Sequence, residues 1–205
     1  MSRKNFPLRR PKFALGIRLQ EPRAGSSRAE WTKKWFAALE RMDLGGRYGR
    51  GRNYAMSGQV VEIKGLGGLE GSEGLKALVQ GARTGKYEVT IDFRRPEGAA
   101  RKRVVKALKS EPMLVARLLA GELPMEVEEI FRKEGFDLYP GGKLEPARKR
   151  TGAGRLYDVV TDCSCPDYAN PCKHVFAALT VLGEAIAWRP SLLVELRGIP
   201  MEELI

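Results

Sequence analysis

The stretch Cys163-Ser-Cys-Pro-Asp-Tyr-Ala-Asn-Pro-Cys-Lys-His174 contains all three cysteines and the only histidine of this 205-residue chain. Three cysteines within ten residues of one another suit a metal ion better than a disulfide framework. Residues two apart on an extended strand project to the same face, so Cys163 and Cys165 can reach one ion together. The spacing C-x-C-x6-C-x-H therefore predicts a metal site formed by Cys163, Cys165, Cys172 and His174.

The second half of this motif carries the signals of a helix start. Asn170 suits the N-cap and Pro171 the first helical position, which would place Cys172 and His174 in or beside the first turn. The positive end of that helix favours a thiolate at Cys172. Three thiolates and one imidazole form the closed tetrahedral set of structural zinc, so we expect one structural Zn²⁺. Its formal charge of −1 would be offset by Lys173 and Arg155.

A closed ligand set also bears on catalysis. It leaves no vacant position for water or substrate, which makes a zinc hydrolase or transferase the weakest of three hypotheses. The sequence contains no HExxH, no G-x-S-x-G and no deaminase pair of H-x-E with P-C-x-x-C. We therefore predict that the protein is not an enzyme.

The elements around the motif follow from periodicity. A strand from Leu156 to Val160 precedes it, and an apolar stripe from Val175 to Ile186 predicts a helix that ends before Arg189-Pro190. We expect the metal to hold a strand pair against this helix in a ββα-like unit, with Phe176 and Leu179 buried in the core.

The preceding residues alternate between helical and strand patterns. A capping box at Ser27 to Glu30 predicts a helix ending near Gly45, with Trp31 and Trp35 in the core. Helical segments follow between residues 100 and 136, punctuated at Pro112 and at residues 121 to 124. Three antiparallel strands are predicted between these helical regions, at Gln59 to Ile63, Leu75 to Val79 and Tyr87 to Phe93.

These patterns predict an α+β fold: a small antiparallel sheet with helices and a C-terminal ββα-like zinc module. Residues 1–28 form a basic flexible arm, because prolines and cations there show no sustained period. We predict that residues 29–140 form the α+β domain and residues 141–205 the zinc module with its C-terminal helix.

The net charge of +11 is concentrated near the N-terminus. Residues 1 to 58 contain 14 Lys and Arg against 4 Asp and Glu, or +10. Such asymmetry indicates a polyanion partner, usually nucleic acid, although basic tails also occur as solvated arms. Residues 45–54 interleave arginine with tyrosine and glycine, which suits phosphates and bases, or else form a glycine-rich turn entering the first strand. The candidate nucleic-acid-binding residues are Arg47, Arg50, Arg52 and Lys173.

The chain offers no signal for a membrane. No run approaches the roughly 18 consecutive apolar residues of a spanning helix, and Met1 to Arg10 lacks the apolar stretch of a signal peptide. We therefore expect a cytoplasmic protein, in a compartment that keeps its thiols reduced.

The segment from Cys163 to Ala178 closely resembles the SWIM zinc finger, whose pattern is C-x-C, a spacer and C-x-H. Further segments are similar to prokaryotic stand-alone SWIM proteins encoded beside Swi/Snf-type helicase-like ATPases: Arg50 to Ala55, Val79 to Arg83, Tyr87 to Ile91, Leu118 to Pro124 and Leu196 to Gly198. The resemblance implies the same four ligands, DNA or protein binding, and a helicase-like ATPase as partner. Two readings stay open: an adaptor that binds DNA (or RNA), and a protein–protein scaffold without nucleic-acid binding.

Overall fold

The computed structural model describes Ile17 and residues 29–43, 45–65, 74–82, 85–141 and 158–205. The described helices are α1 (Glu30–Arg41), α2 (Arg47–Met56), α3 (Gly98–Lys109), α4 (Pro112–Leu119), α5 (Met125–Lys133), α6 (Lys173–Trp188) and α7 (Leu192–Leu196), followed by a 3-10 turn at Met201–Glu203. The strands are β1 (Val60–Lys64), β2 (Leu75–Gln80), β3 (Lys86–Phe93) and β4 (Val159–Cys163). This composition confirms the predicted α+β class.

Several expectations fall outside the described residues. The capping residue Ser27, the charge partner Arg155 and most of the 1–28 arm are among them. Ile17 is described, and its backbone N–H donates to the Val60 carbonyl at 2.9 Å, so the arm contacts the first strand at this point. Within the described ranges, no helix is both long and apolar enough to cross a membrane.

The strands form one antiparallel sheet in the order β1-β2-β3-β4. Its fourth strand leads directly into the metal motif and pairs with β3, from Phe93 opposite Val159 to Val89 opposite Cys163. The expected count of three strands before residue 100 is right, and β4 extends that same sheet. The strand pair of the ββα-like unit is therefore β3 and β4. Along β3, buried Val89, Ile91 and Phe93 alternate with exposed residues, as predicted.

Helix α6 lies at the centre of the core. Eleven of its 16 residues are buried, among them Phe176 and Leu179 as expected. Two glycines allow other helices to approach it closely. A Cβ added at Gly51 of α2 would lie 2.5 Å from the Phe176 Cβ, and one added at Gly183 of α6 would lie 2.5 Å from Cδ1 of Trp35. The Trp35 indole N–H donates to the Leu179 carbonyl at 3.1 Å. Trp35 is fully buried, whereas Trp31 is partly buried against the same core.

The segment between α1 and β1 differs from its prediction. Helix α1 ends at Arg41, and residues 47–56 form a helix where a glycine-rich turn was one expectation. The Asp43 carboxylate accepts the backbone N–H of Gly45 at 3.1 Å and of Arg47 at 2.9 Å, which satisfies donors at the start of α2. Packing of Gly51 against α6 then outweighs the low helix propensity of glycine.

The start of β4 is fixed by a buried ion pair. Asp158 Oδ2 lies 2.6 Å from an Arg197 guanidinium nitrogen, and the two side chains are 7% and 1% exposed. Arg197 also donates to the carbonyls of Tyr139 at 3.1 Å and Arg94 at 2.9 Å. The residues after α7 are thereby attached to the sheet.

Candidate metal centre

The four predicted ligands meet at the end of the sheet. Their ligand atoms, from Cys163, Cys165, Cys172 and His174, all lie within 4.8 Å of one another. The Sγ atoms of Cys165 and Cys172 are 3.7 Å apart, and His174 Nδ1 lies 3.8 Å from the Sγ atoms of Cys163 and Cys172. A tetrahedral zinc with bonds of about 2.3 Å to sulfur and about 2.0 Å to nitrogen has corners separated by ~3.5–3.8 Å. The donor set and its spacing therefore fit one zinc ion.

Each ligand is positioned by a different part of the backbone. Cys163 is the last residue of β4, and Cys165 follows in the loop of residues 164–171, which we call the zinc loop. Cys172 is the N-cap of α6, and His174 lies in its first turn. The zinc loop is attached to β3, because Ser164 N–H donates to the Glu88 carbonyl and Glu88 N–H donates to Ser164 Oγ, both at 3.0 Å.

The predicted helix start is wrong by two residues. Cys172, not Asn170, caps α6, and Pro171 precedes the helix. The Asn170 side chain instead pairs with Thr161 of β4: it accepts from Thr161 Oγ1, and its amide nitrogen donates to the Thr161 carbonyl. The amide that could have capped the helix thus connects the zinc loop to the strand.

The cysteines differ in how strongly they bind a proton. The pKa of Cys172 is lowered to about 4 by a hydrogen bond from Cys163, with further bonds from His174 and from the Val175 backbone N–H at the start of α6. The pKa of Cys163 is raised by the same hydrogen bond and by burial, and burial raises the pKa of Cys165. One thiolate, at Cys172, is therefore favoured before metal arrives, and metal binding must release the protons of the other two.

The imidazole is oriented by aromatic packing. The His174 ring centroid lies 4.7 Å from that of Tyr87 and 5.4 Å from that of Tyr54. Its Nε2 atom is buried and has no hydrogen-bond partner among the described residues. Ligand histidines usually donate their second nitrogen to a carboxylate or carbonyl, so here ring contacts replace that support.

The surface beside the metal collects three of the four candidate cations. Arg47 lies 3.7 Å from Asp167 of the zinc loop, and the pKa of Asp167 is lowered by the Ala169 backbone N–H and then by the charges of Arg47, Lys173 and Arg50. The Lys173 ammonium lies 5.8 Å from the centroid of Tyr54. The structure therefore brings Arg47, Arg50 and Lys173 to one side of the zinc loop.

The fourth candidate, Arg52, lies elsewhere. At about 100° per residue, Arg52 is about 200° around α2 from Arg50, on the other side of the buried stripe that contains Gly51. The expected arginine cluster is thus divided between two sides of one helix. A pattern of arginines in sequence could not show this, because the segment's helical state was not predicted.

A cleft of about 480 Å³ opens next to the metal, lined in part by Tyr54, Tyr87, Lys173 and His174. On the adjacent zinc loop, the Tyr168 side chain is 96% exposed. The sequence suggested base stacking for Tyr54, as part of the segment 45–54, and assigned no role to Tyr87 or Tyr168. A signal was present for Tyr87, because it stands in a segment that resembles stand-alone SWIM proteins.

Comparison with known proteins agrees with this geometry. The model of the SWIM zinc finger family matches residues 156–183. The chain is also 33% identical over 190 residues to the uncharacterized protein Rv2102 of Mycobacterium tuberculosis, a match covering 93% of this chain. The chain spans 62% of that relative's length. No solved structure matches the chain significantly. The SWIM zinc finger is a metal-binding domain, and residues 156–183 of this chain match it, with a ligand set of Cys163, Cys165, Cys172 and His174 that fits a single structural zinc ion.

Proposed function

We propose that this protein is a non-enzymatic adaptor that binds DNA (or RNA) and works with a helicase-like ATPase. One observation carries the nucleic-acid part of the proposal. Helix α2 packs through Gly51 on the first turn of α6, where a Cβ would lie 2.7 Å from the Lys173 carbonyl. This contact places Arg47 and Arg50 beside Lys173 at the zinc loop.

The chemistry of this surface suits a nucleic-acid strand. Arg50 is exposed and Lys173 is partly exposed, so both can reach phosphates, while Asp167 partly offsets Arg47. Tyr168, which follows Asp167 in the zinc loop, is 96% exposed and so available for a base to stack on. Cations that follow the backbone together with aromatic side chains for the bases are the usual means of binding single strands.

The sequence before α1 adds to this charge. Residues 1–28 contain eight Lys and Arg against one Glu, or +7. A basic segment of this kind contacts phosphates without reading bases, so it would raise affinity for all sequences alike.

The ATPase partnership rests on the resemblance to stand-alone SWIM proteins. The closed ligand set is consistent with a protein that binds while its partner carries out the reaction. The metal stabilises a binding surface and offers no open coordination position for a substrate. Addition of this protein should therefore raise the rate at which its partner ATPase hydrolyses ATP in the presence of nucleic acid. The partnership would be contradicted if none of the helicase-like ATPases from the same cell changed its rate.

A salt titration tests nucleic-acid binding. The logarithm of the association constant for a duplex should fall linearly with the logarithm of the salt concentration. Each phosphate contact should contribute about −0.9 to the slope of that line. The double variant Arg50→Gln/Lys173→Gln should flatten the slope by about 1.8. The control Arg117→Gln/Arg132→Gln removes two exposed cations of α4 and α5, each paired with a glutamate in the same helix or its adjoining turn, and should leave the slope unchanged. Arg52→Gln shows whether the other side of α2 also contacts the ligand. Absence of binding to DNA and RNA at low salt would reject the proposal.

A second candidate, the protein scaffold, is favoured by a different surface. A groove of about 360 Å³ between α4 and α5 is lined in part by Met113, Pro124 and Glu126. Met113 is 74% exposed, and Met125, which lies between Pro124 and Glu126 in the chain, is 70% exposed. Exposed methionines suit an apolar helix from a partner. Binding there would depend less steeply on salt than phosphate binding does and would be weakened by Met113→Gln/Met125→Gln, while Arg50→Gln/Lys173→Gln would have no effect.

A further inference from the structure

Helix α3 carries a concentration of positive charge that the overall charge balance hides. Its 12 residues include five cations and no acid. Residues 59–205 contain 22 Lys and Arg against 21 Asp and Glu, because acids elsewhere balance this helix. Seven of those acids lie between residues 111 and 137, in and around α4 and α5. The net charge of residues 59–205 is therefore near zero, although α3 is strongly basic and the adjacent region around α4 and α5 is acidic.

Two of the five cations are already paired. Arg101 forms two bonds to the Glu203 carboxylate, one of them at 2.9 Å, and Arg103 Nε lies 2.7 Å from Glu134. The other three are exposed lysines, Lys102, Lys106 and Lys109. None of the three lies within ion-pair distance of a carboxylate in the described ranges. Lys109 donates to the Glu203 backbone carbonyl at 2.9 Å, and its charge also acts on the Glu203 carboxylate, whose bonds go to Arg101.

The three lysines share one side of the helix. Their spacing of four and three residues places them along one face, over a length of about 10 Å. We call Lys102, Lys106 and Lys109 the α3 basic face. A groove of about 380 Å³ runs beside it, with Val105 and Ser110 also in its lining. The one carboxylate that lines this groove, Glu203, is engaged by Arg101.

We propose that the α3 basic face binds the phosphate backbone of a nucleic acid, as a second contact distinct from the one at the zinc loop. This inference rests on the proposed function. Lysines act as point charges for phosphate and lack the planar fork with which arginine reads guanine. No aromatic residue stands among the described residues that line the groove. The face therefore positions the strand without reading its bases.

The two contacts lie at different ends of β3. Tyr87, near its start, touches the His174 ring, and Phe93, at its end, leads through four residues into α3. Six residues of strand separate the two positions by about 20 Å. A ligand long enough to reach both should bind more tightly than two short pieces, and short oligonucleotides should lose this advantage.

The test compares two triple variants of the full chain on a 30-base-pair duplex. Lys102→Gln/Lys106→Gln/Lys109→Gln removes the α3 basic face. The control Lys33→Gln/Arg117→Gln/Arg132→Gln removes three exposed cations that each have a glutamate partner within the same helix or its adjoining turn. Both should keep their zinc and their unfolding midpoint. We expect the first to flatten the salt slope by about 2 to 3 and the control to leave it unchanged.

The outcomes separate this inference from the proposed function. An unaltered slope in the α3 variant, with the slope still reduced in Arg50→Gln/Lys173→Gln, overturns the second contact and leaves nucleic-acid binding in place. No binding by the wild-type chain overturns both. A wild-type chain that binds polyglutamate as tightly as the duplex at equal salt, through the same lysines, overturns the assignment to nucleic acid.

Discussion

Strand β4 is fixed at its two ends by different means. At its last residue, Cys163 joins the three other side chains that form the zinc site. Immediately before its first residue, Asp158 forms a buried ion pair with Arg197. Each of these interactions attaches the strand to a segment near the C-terminus. The zinc site attaches it to α6, and the ion pair attaches it to Arg197, which follows α7.

The difference lies in the free energy that each end supplies. Metal–ligand bonds contribute directly to folding, since an unfolded chain has no preformed site. In a buried ion pair, the attraction is largely offset by the cost of removing both charges from water. The pKa of Arg197 is lowered, chiefly because burial disfavours its charged form, while the charge of Asp158 acts to raise it. We infer that the zinc end stabilises the fold and the Arg197 end fixes how the C-terminal segment is placed.

Loss of a zinc ligand should have the largest effect. Cys165→Ser and His174→Ala should lose metal and the C-terminal fold together, because a structural zinc contributes ~10 kcal/mol or more. Metal analysis and circular dichroism of the purified variants measure this. Tyr168→Ala, a change to a 96% exposed side chain in the zinc loop, should keep one zinc per chain. A folded wild-type protein without zinc would contradict the assignment.

Breaking the ion pair should cost less and spare the metal. Arg197→Met leaves the Asp158 carboxylate buried and unpaired, which should lower the free energy of unfolding by about 3–5 kcal/mol. Zinc content should remain at one per chain. The double variant Arg197→Met/Asp158→Leu should be more stable than the single, since no charge is then buried alone. Urea unfolding measures the free energy of unfolding of each variant. If the double variant lost as much as Arg197→Met and Asp158→Leu lose together, this view of the pair would be refuted.

The contact between α2 and α6 should come next. Gly51→Ala forces a Cβ to 2.5 Å from the Phe176 Cβ and should destabilise the protein by about 1–3 kcal/mol. The matched control is Gly49→Ala in the same helix, where an added Cβ meets nothing within 4 Å. It should stabilise the protein by about 0.5–1 kcal/mol, through helix propensity alone. Equal effects of the two substitutions would show that Gly51 does not set the helix spacing.

The features that sequence predicted well are local. The metal ligands are rare residue types within twelve positions, so their density alone identifies them. The helices between residues 98 and 133 were predicted because Pro112 and Gly121 mark their limits, Pro112 as the first residue of α4 and Gly121 with a φ of 86° after its end.

The features that sequence missed depend on distant partners. Helix α2 contains two glycines that lower its propensity, and the contact that favours it, from Gly51 to Phe176, joins residues far apart in the chain. Asn170 has the properties of a cap, but Thr161 competes for its amide. The ion pair of Asp158 with Arg197 uses common residue types 39 positions apart, so no spacing rule could reveal it.

The smallest effect is expected at the surface pair that joins α3 to the C-terminal turn. Arg101 and Glu203 are 35% and 31% exposed, so solvent screens their attraction and the pair should stabilise the fold by about 1 kcal/mol or less. The hydrogen bond from Arg101 lowers the pKa of Glu203 below its ordinary value of 4.5, and the charges of Arg101 and Lys109 lower it further. The folded state therefore holds the Glu203 proton more weakly than the unfolded state. Its contribution is present above the unfolded pKa and is lost as pH falls through the lower folded pKa.

Urea unfolding at about pH 5 and about pH 3 measures this contribution as a difference between chains. Wild-type protein should lose more stability over that interval than Glu203→Gln, which has no carboxylate to protonate at this position. Glu202→Gln removes an exposed neighbouring carboxylate that has no ion-pair partner in the described ranges, and it should follow the wild-type curve. If Glu203→Gln keeps the full pH dependence of the wild type, the pair does not stabilise the α3 end. The acid sensitivity of the fold would then come from other groups: the zinc ligands, which must be deprotonated to bind the metal, and carboxylates such as Asp167, whose pKa is also lowered.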